Sequence, residues 1–98
     1  MLQRAVSVTT NGVQLRAVVQ GQGPLVVMVH GFPEGWYSWR HQIGPIADAG
    51  FTACAIDVRG YGGSQHFAQV ADYALEPIVA DVLGVADALS PGQPVILV

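Results

Sequence analysis

Leu25-Val26-Val27-Met28-Val29-His30-Gly31-Phe32-Pro33-Glu34-Gly35-Trp36-Tyr37-Ser38-Trp39-Arg40 is the stretch that decides the fold. It opens with an unbroken apolar run, Leu25 to Val29, rich in Val and too short for a helix. Such a run suits a strand buried on both faces. The pattern then breaks at His30-Gly31-Phe32-Pro33 and resumes as an aromatic segment. In open α/β sheets, ligands collect just beyond the carboxyl ends of parallel strands. Gly31 permits a close backbone approach there. Pro33 removes one N–H and fixes φ, so the corner is stiff and the amide of Phe32 is aimed. A stiff corner with free N–H groups at a strand end is what an oxyanion hole requires.

Upstream, Met1 to Thr10 alternates weakly and reads as a strand, and Asn11-Gly12 is a strong hairpin signal. Val13 to Val19 returns as a second strand with Val13, Leu15, Ala17 and Val19 on one face. Gly21-x-Gly23 precedes the buried strand instead of following it, so a dinucleotide loop is rejected.

Downstream, Gly35 to His41 is expected to make one or two helical turns. Gly44-Pro45 is expected to interrupt them and open a second short helix ending near Gly50. Phe51 to Ile56 is the next strand, with the glycine-rich loop Asp57-Val58-Arg59-Gly60-Tyr61-Gly62-Gly63-Ser64 at its carboxyl end. Residues 65–73 read as loop. Leu75, Ile78, Val79, Val82, Val85, Ala86 and Leu89 then trace one face of a helix, with Pro77 confined to its first turn. Pro94 to Val98 reads as another buried-type strand. The order β-β-β-α-β-α-β implies an α/β class: a mostly parallel sheet with an antiparallel amino-terminal hairpin and helices on both faces.

The 98 residues are 51% hydrophobic and 11% charged, which is greasy for so short a chain. Either the domain is compact and unusually apolar, or it belongs to a larger sheet. The second is preferred, because Pro94 to Val98 stops without a turn or cap. A net charge of −3 with four basic residues offers no nucleic-acid footprint. No apolar run approaches the roughly 20 residues of a membrane span, and no secretory signal pattern is present. Cys54 stands alone among Ala, Ile and Val, so a buried, inert thiol and a cytoplasmic setting are expected. Three scattered histidines and one cysteine make no metal spacing, and neither metal nor cofactor is called for.

His30-Gly31-Phe32-Pro33-Glu34, then Trp36-Tyr37-Ser38-Trp39-Arg40-His41-Gln42-Ile43, resembles the α/β-hydrolase superfamily, specifically its epoxide hydrolases. Asp57-x-Arg59-Gly60-Tyr61-Gly62-x-Ser64 is similar to the same family's loop after the fourth strand. The similarity covers nearly all of the chain. Two departures are mild: Gly44-Pro45 places its Pro one position late, and no Pro follows soon after Ser64. One is severe. In the family the strand matching Val95 to Val98 runs into a turn bearing the nucleophile, typically Gly-His-Asp-Trp-Gly, whereas this sequence ends at Val98. The expectation is therefore an incomplete core domain over 1–98, with cap and carboxy-terminal half absent.

The resemblance implies a two-step reaction. An Asp attacks an epoxide carbon while cap tyrosines bind the departing oxygen, and a His-activated water then hydrolyses the ester. It assigns the backbone N–H of Phe32 to the oxyanion. It gives the ring of Phe32, with Pro33, to an apolar epoxide pocket, and makes the Phe32–Pro33 bond cis. Trp36 either lines that pocket or packs between helix and sheet, and Trp39 is expected in the core. His30 is read as holding the loop with Gly31 instead of acting as a base. Asp57 is read as a structural ion pair or a backbone-fixing carboxylate supported by Arg59 and Gly60, not as a nucleophile. Ser64 lacks a nucleophile-elbow context. His41 and His66 are placed on the surface. Glu34, Asp48, Asp72, Glu76, Asp81 and Asp87 are read as solvated or helix-end charges, with Glu34 near enough to help hold the loop.

Rivals are a haloacetate dehalogenase, an esterase of the same superfamily, or a non-catalytic fragment. A haloalkane dehalogenase is disfavoured, because Asn is expected at position 32. Self-association through the terminal strand is also expected.

Overall fold

The computed structural model describes residues 2–98. Its strands are β1 (Arg4–Thr10), β2 (Val13–Gln20), β3 (Leu25–Val29), β4 (Thr52–Ile56) and β5 (Ile96–Leu97), and its helices are α1 (Arg40–Asp48) and α2 (Leu75–Leu89). Short 3₁₀ turns occupy Trp36–Trp39 and Val70–Tyr73. The strands form one sheet in the order β1-β2-β4-β3-β5. Asn11 at φ 53° and Gly12 at φ 70° make the tight turn that folds β2 back on β1, pairing Thr10 with Val13. β2 runs antiparallel to β4, whereas β3 is parallel to both β4 and β5.

Alternation along these strands builds two cores. Val13, Leu15, Ala17, Val19, Leu25, Val27, Cys54 and Ile56 face α2, which contributes Val85 and Ala86. Val18, Val26, Met28, Ala53 and Ala55 face the other way, against Ile43 of α1. Helices thus cover both faces, which is why β3 is apolar throughout and β4 is apolar from Ala53 onward. Burying each such Val, Leu or Ile contributes about 1.5–3 kcal/mol. Trp36 and Trp39 are half-buried and pack on the α1 side, and the buried Nε1–H of Trp39 has no hydrogen-bond partner among the described residues.

Several expectations need correction. The helix does not break at Gly44-Pro45: α1 runs through Pro45 to Asp48, and the change of geometry falls instead where the 3₁₀ turn gives way to α1 at Arg40. The pre-proline penalty arises partly from the preceding Cβ, which Gly44 lacks. Pro45 and His41 are both exposed, so the missing helical hydrogen bond falls on the outer side of α1. The segment 65–73 is not all loop, since Val70–Tyr73 forms a turn of 3₁₀ helix. Of the face traced along α2, Leu75 and Val79 are exposed. The last strand is an exposed two-residue edge, not a buried strand, because nothing among the described residues lies on its outer side.

Candidate active-site loops

Parallel pairing of β3 and β4 with Val29 opposite Ile56 means that His30 and Asp57 leave the sheet side by side. The loops that follow them are tied together by backbone-directed side chains. Asp57 is fully buried; its Oδ1 accepts the Trp36 N–H at 2.7 Å and its Oδ2 accepts the Gly63 N–H at 3.0 Å. One carboxylate therefore joins the loop after β3 to the loop after β4. Gly62, at φ +51°, lies so close that a Cβ would overlap the Asp57 carboxylate. Ser64 is buried; its hydroxyl donates to the Asp57 carbonyl and accepts the Arg16 N–H at 2.9 Å. It is a brace with no free hydroxyl.

The corner at residues 30–34 is equally constrained. The Gly31 N–H donates to Glu34 Oε1 at 2.9 Å, and the Gly31 carbonyl accepts from the Glu34 N–H at 3.1 Å and from His30 Nδ1 at 2.8 Å. His30 Nε2 accepts the Val58 N–H at 3.0 Å, which ties the corner to the second loop. The ring of Tyr61 meets His30 edge-on at 4.9 Å between centroids. The Phe32–Pro33 bond is cis, as the resemblance implied. The Phe32 N–H makes no hydrogen bond among the described residues. Phe32 is 85% exposed, its ring set perpendicular to that of Tyr61 with 6.5 Å between centroids. Pro33 is also exposed, and Trp36 packs against the α1-side core.

Residues 24–98 match the family model described as alpha/beta hydrolase fold. The chain belongs to that family. Within it, this hydrolase-fold chain is similar to epoxide hydrolases. Epoxide hydrolase B of Mycobacterium tuberculosis is 48% identical over 86 residues, covering 84% of this chain and 24% of the relative. Epoxide hydrolase A of the same organism is 49% identical over 82 residues, covering 82% of this chain and 26% of the relative. The solved epoxide hydrolase from Vigna radiata superposes with a TM-score of 0.92 at 39% identity, covering 97% of this chain and 29% of that one. The chain thus spans about a quarter of the length of the curated relatives it matches.

Of the two readings of Asp57 in this hydrolase-fold chain, the backbone-fixing carboxylate holds and the ion pair does not, since amides take both oxygens and leave no place for Arg59. Its Nε and Nη2 instead grip Asp81 of α2 at 2.6 and 2.8 Å, and its Nη1 donates to the Asp72 carbonyl at 2.8 Å. Asp81 is therefore a buried ion-pair partner, not a solvated charge. Asn11 adds a third donor to it at 2.9 Å. The Asp81 hydrogen bond, helped by its charge and opposed by burial, holds the Arg59 guanidinium above its ordinary pKa. The guanidinium also lies 4.9 Å over the Phe67 ring. A signal was present in the pattern: Asp81 falls between Ile78 and Val85 on the very stripe that faces the sheet. Gly60 faces Tyr73, whose hydroxyl accepts the Phe67 N–H at 2.7 Å and donates to the Phe67 carbonyl at 2.8 Å. Cys54 is fully buried, and desolvation pushes its thiol up to about 12. His41 and His66 are exposed.

Proposed function

We propose that these residues are the amino-terminal part of an epoxide hydrolase core domain and supply one oxyanion donor, the Phe32 amide. The observation that carries this reading is selective. Beside Phe32 both His30 ring nitrogens, the Gly31 N–H and carbonyl and the Glu34 N–H are engaged, while the Phe32 N–H has no partner among the described residues. A donor held stiffly and left unpaired suits a charge that exists only in the transition state. That the relatives and solved structure named above are epoxide hydrolases favours an epoxide over a haloacetate or ester substrate.

In the proposed cycle a carboxylate oxygen of an Asp outside these residues forms a bond to an epoxide carbon. The C–O bond breaks and the alkoxide takes a proton from cap tyrosines. A His-activated water then adds to the ester carbonyl, and the resulting oxyanion accepts the Phe32 N–H. Collapse breaks the ester C–O bond; the departing diol oxygen takes the proton His removed from water, and the acid proton left on the regenerated Asp returns to the tyrosine. The Phe32 ring, Pro33 and Trp36 form part of an apolar substrate wall in this proposal. No cofactor enters.

We infer a cytoplasmic setting from the lone buried Cys54; among the described residues no helix is long and apolar enough to cross a membrane. The exposed edge β5 beside exposed Leu75, Val79 and Leu83 supports self-association of the 98-residue chain. Single-turnover hydrolysis of styrene oxide by the full-length enzyme in ¹⁸O-water tests the chemistry. The covalent route puts an unlabelled enzyme oxygen into the first diol; label in that first turnover rules it out.

A further inference from the structure

We propose that His30 is the positioning residue for the Phe32 amide, and that it works only as the neutral tautomer protonated on Nδ1. The proposal rests on the reading of Phe32 as an oxyanion donor and says what aims that donor.

The argument turns on one peptide group. The Gly31 carbonyl and the Phe32 N–H are opposite ends of the same planar unit, so whatever fixes the first fixes the direction of the second. Two donors hold that carbonyl, His30 Nδ1 at 2.8 Å and the Glu34 N–H at 3.1 Å. The tautomer follows from what each partner is able to do. The Val58 N–H can only donate, so Nε2, 3.0 Å away, must be the bare, accepting nitrogen. A carbonyl can only accept, so Nδ1 carries the hydrogen. The imidazole thus takes its orientation from the loop after β4 and passes it to the peptide after β3. Tyr61, packed edge-on against the ring at an interplanar angle of 70°, keeps it from turning. His30 is 8% exposed, which protects both hydrogen bonds from water.

Asn and Gln separate the two bonds. An Asn amide sits near Nδ1 and keeps a donor for the Gly31 carbonyl, whereas Gln reaches the Nε2 position and keeps an acceptor for the Val58 N–H. The test has two stages. In the ¹⁵N-labelled, unmutated chain, long-range imidazole spectra are expected to show His30 protonated on Nδ1; an Nε2–H ring overturns the proposal outright, whatever the variants do. Next, His30→Gln is expected to move the Phe32 amide resonance, and in the full-length enzyme to lower kcat by about 10- to 100-fold with KM little changed. His30→Asn, which keeps the donor to Gly31 but loses the acceptor for the Val58 N–H, is expected to move the Phe32 resonance and lower kcat clearly less than His30→Gln does. Equal effects of the two variants would mean that His30 merely supports the fold, and would overturn the inference. A displaced Phe32 resonance in His30→Gln with unchanged kcat would leave the positioning intact and remove Phe32 from the chemistry.

Discussion

Removing the Asp81 carboxylate is the sharpest test of how the second loop is held. Asp81→Ala strips acceptors from Arg59 Nε and Nη2 and from Asn11 Nδ2 at once, leaving the guanidinium with only the Asp72 carbonyl and the face of Phe67. The size of the loss depends on burial. An exposed ion pair contributes about 0–1 kcal/mol. Here the two side chains are 5% and 3% exposed, so the pair belongs to the buried class. Deleting one partner there costs about 3–5 kcal/mol, because a charge stays behind without compensation. Set against a domain stability on the order of 5–15 kcal/mol, that is a large fraction. The assay is urea unfolding followed by the fluorescence of Trp36 and Trp39, which lie on the opposite face of the sheet and report the whole fold. Arg59→Met/Asp81→Leu, which removes both charges, should recover most of the loss. Since the Arg59 pKa is raised, its stabilisation is complete below its unfolded value and fades only as pH climbs past the raised one. The effect of Arg59 should therefore be flat between pH 6 and 9. A loss under about 1 kcal/mol in Asp81→Ala, or a double variant as unstable as the sum of the singles, refutes the reasoning.

Asp57→Asn should cost about 1–3 kcal/mol in the same assay, because an amide offers only one acceptor to the two N–H groups of Trp36 and Gly63. Gly62→Ala should be at least as damaging, since it combines a left-handed φ of +51° with a Cβ driven into the Asp57 carboxylate; an unchanged melting temperature would contradict the geometry. Burial raises the Cys54 thiol from 9.0 to about 12, so the unfolded chain ionises first and stability should fall by about 1.4 kcal/mol per pH unit above pH 9. Cys54→Ala should abolish that alkaline slope; an identical slope in the variant counts against it. The 98-residue chain by itself should show no saturable turnover of styrene oxide, and clear activity would mean that the nucleophile lies within it.

Much of the fold was legible because its signals are local. The Asn11-Gly12 turn, the two-sided apolarity of Leu25 to Val29 and the 3.6-residue stripe of α2 each declare themselves within 15 residues or fewer. What failed was tertiary or depended on a missing atom. The rule that breaks a helix before proline loses much of its force when the residue before it is Gly44. The exposure of Leu75, Val79 and β5 depends on what else packs beside them, which no periodicity encodes.

The site divides along the same line, and its two buried aspartates show why. Asp57 and Arg59 are two positions apart, so a reading by proximity joins them. Yet both Asp57 oxygens sit between loops that meet only because β3 and β4 are parallel neighbours in register, and amides from each side reach them first. The guanidinium then turns to the one acceptor the apolar stripe of α2 carries, 22 residues away. Each aspartate thus does a separate task. Asp57 binds loop to loop without a counter-charge, and Asp81 neutralises the cation that anchors the second loop to α2. Between them they hold the two loops beside which the Phe32 corner sits, its amide fixed in direction and unpaired among the described residues.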